Sequence, residues 1–119
     1  MEILLVTARP RVLTDFTAAL AAGGAHVTIA PDAATALESA AAGHPVLCVA
    51  DENLPDLEPF TLVARLMQQN AMIFTAVVSG LSEADFHEAG EGLGILKRLP
   101  PNPDAAAAKD LLATLAAVA

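Results

Sequence analysis

Apolar residues along the chain gather into five short runs, separated by segments in which they recur at helical spacing. Ile3-Leu4-Leu5-Val6 is the first run, bounded by Thr7 and Pro10. Consecutive apolar residues without polar alternation describe a strand buried on both faces. Pro10 suits the first turn of a helix. Leu13, Phe16, Thr17 and Leu20 follow at helical spacing until Gly23-Gly24 stops them. Residues 26–30 read as strand 2. Asp32 caps a second helix running through Ala42, with Gly43 as its stop, and its alanines allow close approach to the sheet. Residues 46–50 read as strand 3. Pro59 opens helix 3, with a stripe of Leu62, Val63, Leu66 and Met67 and a stop at Asn70. Residues 72–78 read as strand 4. Ser82 and Asp85 have capping-box spacing for a short helix 4 that ends at Gly90 or Gly92. Residues 94–97 read as strand 5. After the stiff loop of Pro100, Pro101 and Pro103, Asp104 opens helix 5, with Leu111, Leu112, Leu115 and Val118 inward.

Five βα units in succession imply right-handed crossovers and a parallel sheet covered on both faces. Such a sheet places its site beyond the carboxyl ends of its strands. Three of those ends carry polar groups: Asp51 after strand 3, Ser79 after strand 4 and Lys97 at strand 5. The topology therefore gathers residues far apart in sequence.

Composition narrows the picture. A chain of 119 residues is the size of one domain, and residues 1–119 are read as one. Aromatic residues make up only 3%, so the core is aliphatic around Phe16, Phe60, Phe74 and Phe86. The net charge of −8, with no cluster of Lys and Arg, excludes the electrostatic footprint of a nucleic-acid binder. It favours solubility or a basic partner. The single cysteine, Cys48, lies in an apolar run and reads as a buried, inert thiol. The start Met1-Glu2-Ile3-Leu4 has no basic n-region or cleavage site. No apolar run is long enough to span a bilayer. A cytoplasmic protein is expected, without membrane association.

The chain at this point resembles the receiver domain of bacterial two-component response regulators, over essentially its full length. Asp51-Glu52-Asn53-Leu54-Pro55-Asp56 after the run ending in Ala50 is the strongest match. Val77-Val78-Ser79-Gly80 is the second, and Ala89-Gly90 with Lys97 seven residues after the glycine is the third. The resemblance implies a flavodoxin-like (βα)5 three-layer sandwich with strand order 2-1-3-4-5, helices 1 and 5 on one side and helices 2, 3 and 4 on the other. It implies Asp51 as phospho-acceptor, Ser79 as the hydroxyl that bonds the phosphoryl oxygen, and Lys97 as counter-ion. It implies a histidine kinase or phosphotransfer protein and a downstream effector as partners, met through the helix 4–strand 5–helix 5 face. Helix 4 is also the candidate surface for a homodimer.

Departures from the pattern are as informative. The family carries an acidic pair after strand 1 that holds Mg²⁺, and here the strand ends Val6-Thr7-Ala8-Arg9-Pro10. The family's lysine is followed by proline, whereas Arg98 and Leu99 follow Lys97 before Pro100. The family's strand-5 aromatic aligns with Gly94 or Ile95, and its helix-3 glycine with Pro59. Asp51 and the Asn53 carbonyl are the only remaining metal ligands, a poor set for a hard cation, so Mg²⁺ is expected to bind weakly at best. Losing an electrostatic stabiliser of this kind typically costs on the order of 10²–10³ in rate. A pocket holding Asp51 and Lys97 is near neutral without metal. A direct Asp51–Lys97 pair is therefore expected; Arg9 reads first as an exposed side chain, and help from it in the pocket is its second reading.

Blander readings stand beside these. Asp51 also reads as a turn cap, Ser79 as a turn residue and Lys97 as a solvated lysine on an edge strand. His26, His44 and His87 are too scattered for a metal site. Glu52 and Asp56 read as solvated turn acids. Glu83, Asp85, Glu88 and Glu91 form an acidic patch, read as a solvated face or as a partner contact. No G-x-S-x-G elbow and no glycine-rich phosphate loop after strand 1 is present. The expectation is a signalling domain that works by protein contact, not an enzyme, with Mg²⁺-dependent phosphorylation of Asp51 impaired or absent. A working phospho-acceptor is the alternative, and a flavodoxin-like small-molecule binder the more distant one. No output domain is expected within the 119 residues.

Overall fold

The computed structural model describes residues 1–119. Five strands, β1 (Glu2–Val6), β2 (His26–Ala30), β3 (Leu47–Ala50), β4 (Phe74–Val78) and β5 (Lys97–Leu99), form one parallel sheet in the order β2-β1-β3-β4-β5. They alternate with helices α1 (Thr14–Ala22), α2 (Ala33–Gly43), α3 (Pro59–Gln69), α4 (Glu83–Ala89) and α5 (Ala105–Val118). This is the flavodoxin-like (βα)5 arrangement.

Strands β1, β3 and β4 read as continuous apolar runs because successive side chains enter two different cores. Ile3 and Leu5 of β1 pack with Phe16 and Leu20 of α1 and Leu111 and Leu115 of α5. Leu4 and Val6 point the other way, into a core shared with Ala36 and Ala40 of α2 and Leu62 and Leu66 of α3. Phe86 of α4 closes that second core at its edge and meets Phe60 edge-on, with ring centroids 5.4 Å apart. The small side chains of Ala33, Ala36 and Ala40 let α2 lie against the sheet.

Three helices begin at the capping side chains that the sequence marks. Asp32 Oδ1 accepts from Thr35 N at 2.7 Å, Ser82 Oγ from Asp85 N at 3.1 Å and Asp104 Oδ1 from Ala107 N at 2.9 Å. Helix α3 starts at Pro59, whose missing N–H has no partner to lose there.

Several boundaries differ from those expected, each for a local reason. Helix α1 starts at Thr14, not Pro10; residues 10–13 form a turn in which Leu13 N donates to Pro10 O. Helix α2 includes Gly43, and His44 takes the left-handed stop position at φ 47° ahead of Pro45. Met72 and Ile73 precede β4 because Asn70 turns the chain there, accepting from Met72 N through its side chain and from Ile73 N through its carbonyl. Val118 and Met67, expected inward, are exposed. The largest shift is at β5. Gly92 and Gly94 sit at φ 78° and 62°, a region open to glycine and hostile to other residues. They belong to a loop, and the strand forms only at Lys97–Leu99.

Candidate functional site

The carboxyl ends of β1, β3, β4 and β5 converge on Asp51. This residue follows β3 directly, its N–H bonds Val6 O, and its side chain is fully buried. A buried carboxylate needs compensation on every lone pair. Asp51 has it. Oδ2 accepts from Thr7 Oγ1 at 2.7 Å and from Arg9 Nε at 2.8 Å. Oδ1 accepts from Arg9 Nη2 at 2.9 Å and from Glu52 N at 2.9 Å. The guanidinium thus grips the carboxylate with two parallel bonds, the strong and directional form of this pair.

Arg9 reaches Asp51 because Thr7 shapes the chain between them. Thr7 is the first residue past β1; its buried hydroxyl accepts from Arg9 N at 3.0 Å while donating to Asp51. The remaining Arg9 donors cross to the loop after β5, Nη1 to Asn102 Oδ1 at 2.7 Å and Nη2 to Pro101 O. One side chain therefore joins three loops. The hydrogen bond to Asp51, ahead of the opposing effect of burial, raises the Arg9 pKa above the ordinary guanidinium value. Glu52 extends the brace to a fourth loop by accepting from Gly80 N through Oε2 at 3.1 Å.

Lys97 is elsewhere. Its Nζ pairs with Asp110 Oδ2 of α5 at 2.8 Å, and the expected Asp51–Lys97 pair is replaced by Asp51–Arg9. Sheet register is the reason. Lys97 lies opposite Ala76, and Leu99 lies opposite Val78, so Leu99 stands at the carboxyl end of the strand with Pro100 after it. Lys97 is two residues, roughly 6–7 Å, back from that edge. It lies on the α5 side of the sheet with Leu99. Spacing counted from Gly90 does not allow for the loop through Gly92 and Gly94.

Ser79 is at the expected place, buried at the end of β4. Its N–H donates to Leu99 O and its Oγ accepts from Leu81 N at 3.1 Å; it makes no hydrogen bond to Asp51. Asn53 adopts φ 59° in the turn after Glu52. These donors do not fit Mg²⁺. The one carboxylate at the centre is saturated by four donors, two of them cationic, Thr7 and Ala8 occupy the expected acidic positions, and no group of three or more His, Cys, Asp or Glu side chains is arranged to hold a metal ion.

Three contributors were not visible as such in the sequence. Thr7 stood there only as a missing acid. Asn102 had no signal at all. Asp56, read as a solvated turn acid, accepts from Ala33 N and Ala34 N at 2.9 Å each, so a carboxylate from the β3–α3 loop caps α2 from outside.

No family model matches the chain, and no curated protein matches its sequence. Solved structures do match its shape. A CheY-like response-regulator receiver domain protein from Methanospirillum hungatei JF-1 superposes with a TM-score of 0.82 at 21% identity, covering 98% of this chain and 90% of that one. The signal receiver domain of an HD domain-containing protein from Pseudomonas fluorescens Pf-5 gives 0.81 at 26% identity, over 98% and 84%. The chemotaxis response regulator CheY4 of Vibrio cholerae gives 0.83 at 18% identity, over 96% and 97%. The fold is that of the response-regulator receiver domain, built around an acid held by an arginine.

Proposed function

We propose that this chain is a single receiver-type domain that serves two-component signalling in the cytoplasm by protein contact, with Asp51 withheld from phosphoryl transfer. The observation that carries this reading is the Arg9–Asp51 pair. Phosphoryl transfer to a carboxylate needs a free oxygen lone pair in line with the donor and a cation to balance the charge that develops. Both Asp51 oxygens are engaged, and the carboxylate is buried. Bonds to charged groups are worth about 1.5–3 kcal/mol each, so freeing the nucleophile carries a substantial cost before any chemistry begins. Arg9 supplies positive charge beside Asp51, but its Nε, Nη1 and Nη2 are already bonded to Asp51, Asn102 and Pro101.

The partners are a kinase or phosphotransfer protein and an effector, met on the α4–β5–α5 face. Support for that face comes from the anchoring of α4: Arg98 of β5 bonds Leu81 O at 2.9 Å and lies over the Phe86 ring at 5.9 Å. Glu83, Asp85 and Glu88 on α4 and Glu91 just after it are exposed there.

The test is incubation of the purified chain with acetyl phosphate and with phosphoramidate, with and without Mg²⁺, read by intact mass beside the Asp51→Asn variant. No mass gain under any condition is expected. A one-phosphoryl gain that needs Mg²⁺ and disappears in Asp51→Asn would overturn the reading and make the protein a working switch. A gain that needs Asp51 but not Mg²⁺ would make it a metal-free acceptor.

A further inference from the structure

The sheet has two edges, and they are unlike. Strand β5 is three residues long and carries Lys97 and Arg98, the short, charged form that discourages pairing with another chain. Strand β2 has neither device. It holds no Pro, Lys or Arg, and its register against β1 runs from His26 to Ala30 without a bulge. Its inner hydrogen bonds alternate along the strand. His26 N donates to Met1 O, and Ala30 O accepts from Thr7 N, so residues 26, 28 and 30 bond β1 through their backbone. Val27 and Ile29 therefore direct their N–H and C=O groups off the sheet, and no loop of the chain bonds them.

The side chains follow the same alternation. Val27 lies beside Ile3 and Ile29 beside Leu5, on the face of the sheet that α1 and α5 cover. Val27 is half-buried, and Ile29 is 43% exposed. Thr28 lies beside Leu4 on the other face and is exposed. No acidic residue lies on β2, and its one ionisable side chain, His26, pairs with Glu2 at 2.8 Å. The carboxylates that make up the net −8 are therefore off this strand.

We infer that β2 pairs antiparallel with β2 of a second copy of this chain, about a two-fold axis at Thr28, joining two five-stranded sheets into one. In that register Val27 of one copy stands opposite Ile29 of the other. Each such pair exchanges two N–H···O=C bonds, so every open backbone group of both strands is used. Val27 and Ile29 become cross-strand apolar pairs, and Thr28 meets Thr28 of the second copy as a close pair without backbone bonds. A second copy fits this edge better than a flexible peptide, because its β2 is already extended and has no ordering cost. The two-fold also closes the contact, since it covers the same edge on both copies. Head-to-tail pairing would instead bring β2 against Lys97 and Arg98 of β5. Strand β2 is at the opposite edge of the sheet from β5. The pairing leaves the α4–β5–α5 face and Asp51 untouched, and the phosphoryl-transfer result bears on it in neither direction.

Sedimentation of the full chain from about 0.01 to 1 mM tests this, and a contact of this size is expected to give a weak, reversible dimer within that range. Ile29→Lys sets a charge opposite Val27 of the second copy and is expected to weaken the dimer about tenfold. Ile29 is 43% exposed, and an unchanged urea midpoint at the lowest concentration checks that the variant folds. Thr28→Cys sets two thiols across the axis with Cα atoms about 4.5 Å apart, within disulfide reach. Under mild oxidation it is expected to cross-link about tenfold faster than Met72→Cys, a position that is 83% exposed and off β2; Cys48 is buried in both. A chain still monomeric at about 1 mM, a dimer unmoved by Ile29→Lys, or Thr28→Cys cross-linking no faster than Met72→Cys would overturn the inference. A monomer that binds an alternating Val-Thr peptide along β2 would overturn it in favour of a strand from another protein.

Discussion

Arg9 does more than balance a charge. It holds a fully buried carboxylate and, through Asn102 and Pro101, the loop after β5. Removing one member of a buried ion pair costs about 3–5 kcal/mol, because the other is left uncompensated. Arg9 keeps 31% of its side chain exposed, and solvent screening lowers the expected loss for Arg9→Ala to about 2 kcal/mol. Arg9→Ala with Asp51→Asn is expected to recover much of that loss, since neither partner is then stranded. Urea unfolding of the wild type, both single variants and the double variant measures the coupling directly. A double variant no more stable than Arg9→Ala would mean that Arg9 acts mainly through Pro101 and Asn102. Cys48 contrasts with this. Burial pushes its thiol up to about 12, which fits the inert core residue read from its apolar run.

At the scale of elements, the β3–α3 loop holds the start of α2 through Asp56. Bonds from Ala33 N first, then Ala34 N, lower the Asp56 pKa below its usual 3.8. An acid lowered in this way stabilises the fold above its ordinary pKa, and the contribution disappears as pH falls through the lowered value. Asp56→Ala is therefore expected to be less stable than wild type at neutral pH, with the gap closing as the pH drops below 3.8. Urea midpoints of the two proteins across an acid series check this. A gap that persists unchanged at low pH would show that Asp56 acts by packing. Strand β5 depends on its partner strand more than on its own residues. The apolar residues Ile95 and Leu96 were legible as strand-like, but the loop needs Gly92 and Gly94 at positive φ, and only pairing with β4 shows which residue ends the strand.

Charge is the property that belongs to the whole molecule. A net −8 on 119 residues places many carboxylates within a screening length of one another. Adding NaCl from about 0.05 to 0.3 M is expected to raise stability by several tenths of a kcal/mol, since screened repulsion outweighs weakening of exposed pairs such as Lys97–Asp110. Thermal unfolding across that series checks it, and a falling midpoint would mean that ion pairs dominate.

The order of elements and the parallel sheet covered by helices on both faces were legible in the chain, because continuous apolar runs alternating with helical spacing leave few other arrangements. The sequence also marked Asp51 and Ser79 as strand-end residues and Asp32, Ser82 and Asp104 as caps, because these depend on neighbours a few residues away. Which cation holds Asp51 depends on how the chain folds. Arg9 and Lys97 are separated from it by 42 and 46 positions, and the one pattern that ranked them, the spacing from Gly90, pointed to Lys97. The choice falls to sheet register, which draws Lys97 back toward α5, and to the Thr7 hydroxyl, which bends Arg9 over the acid. Register is a property of paired strands, and neither strand carries it alone.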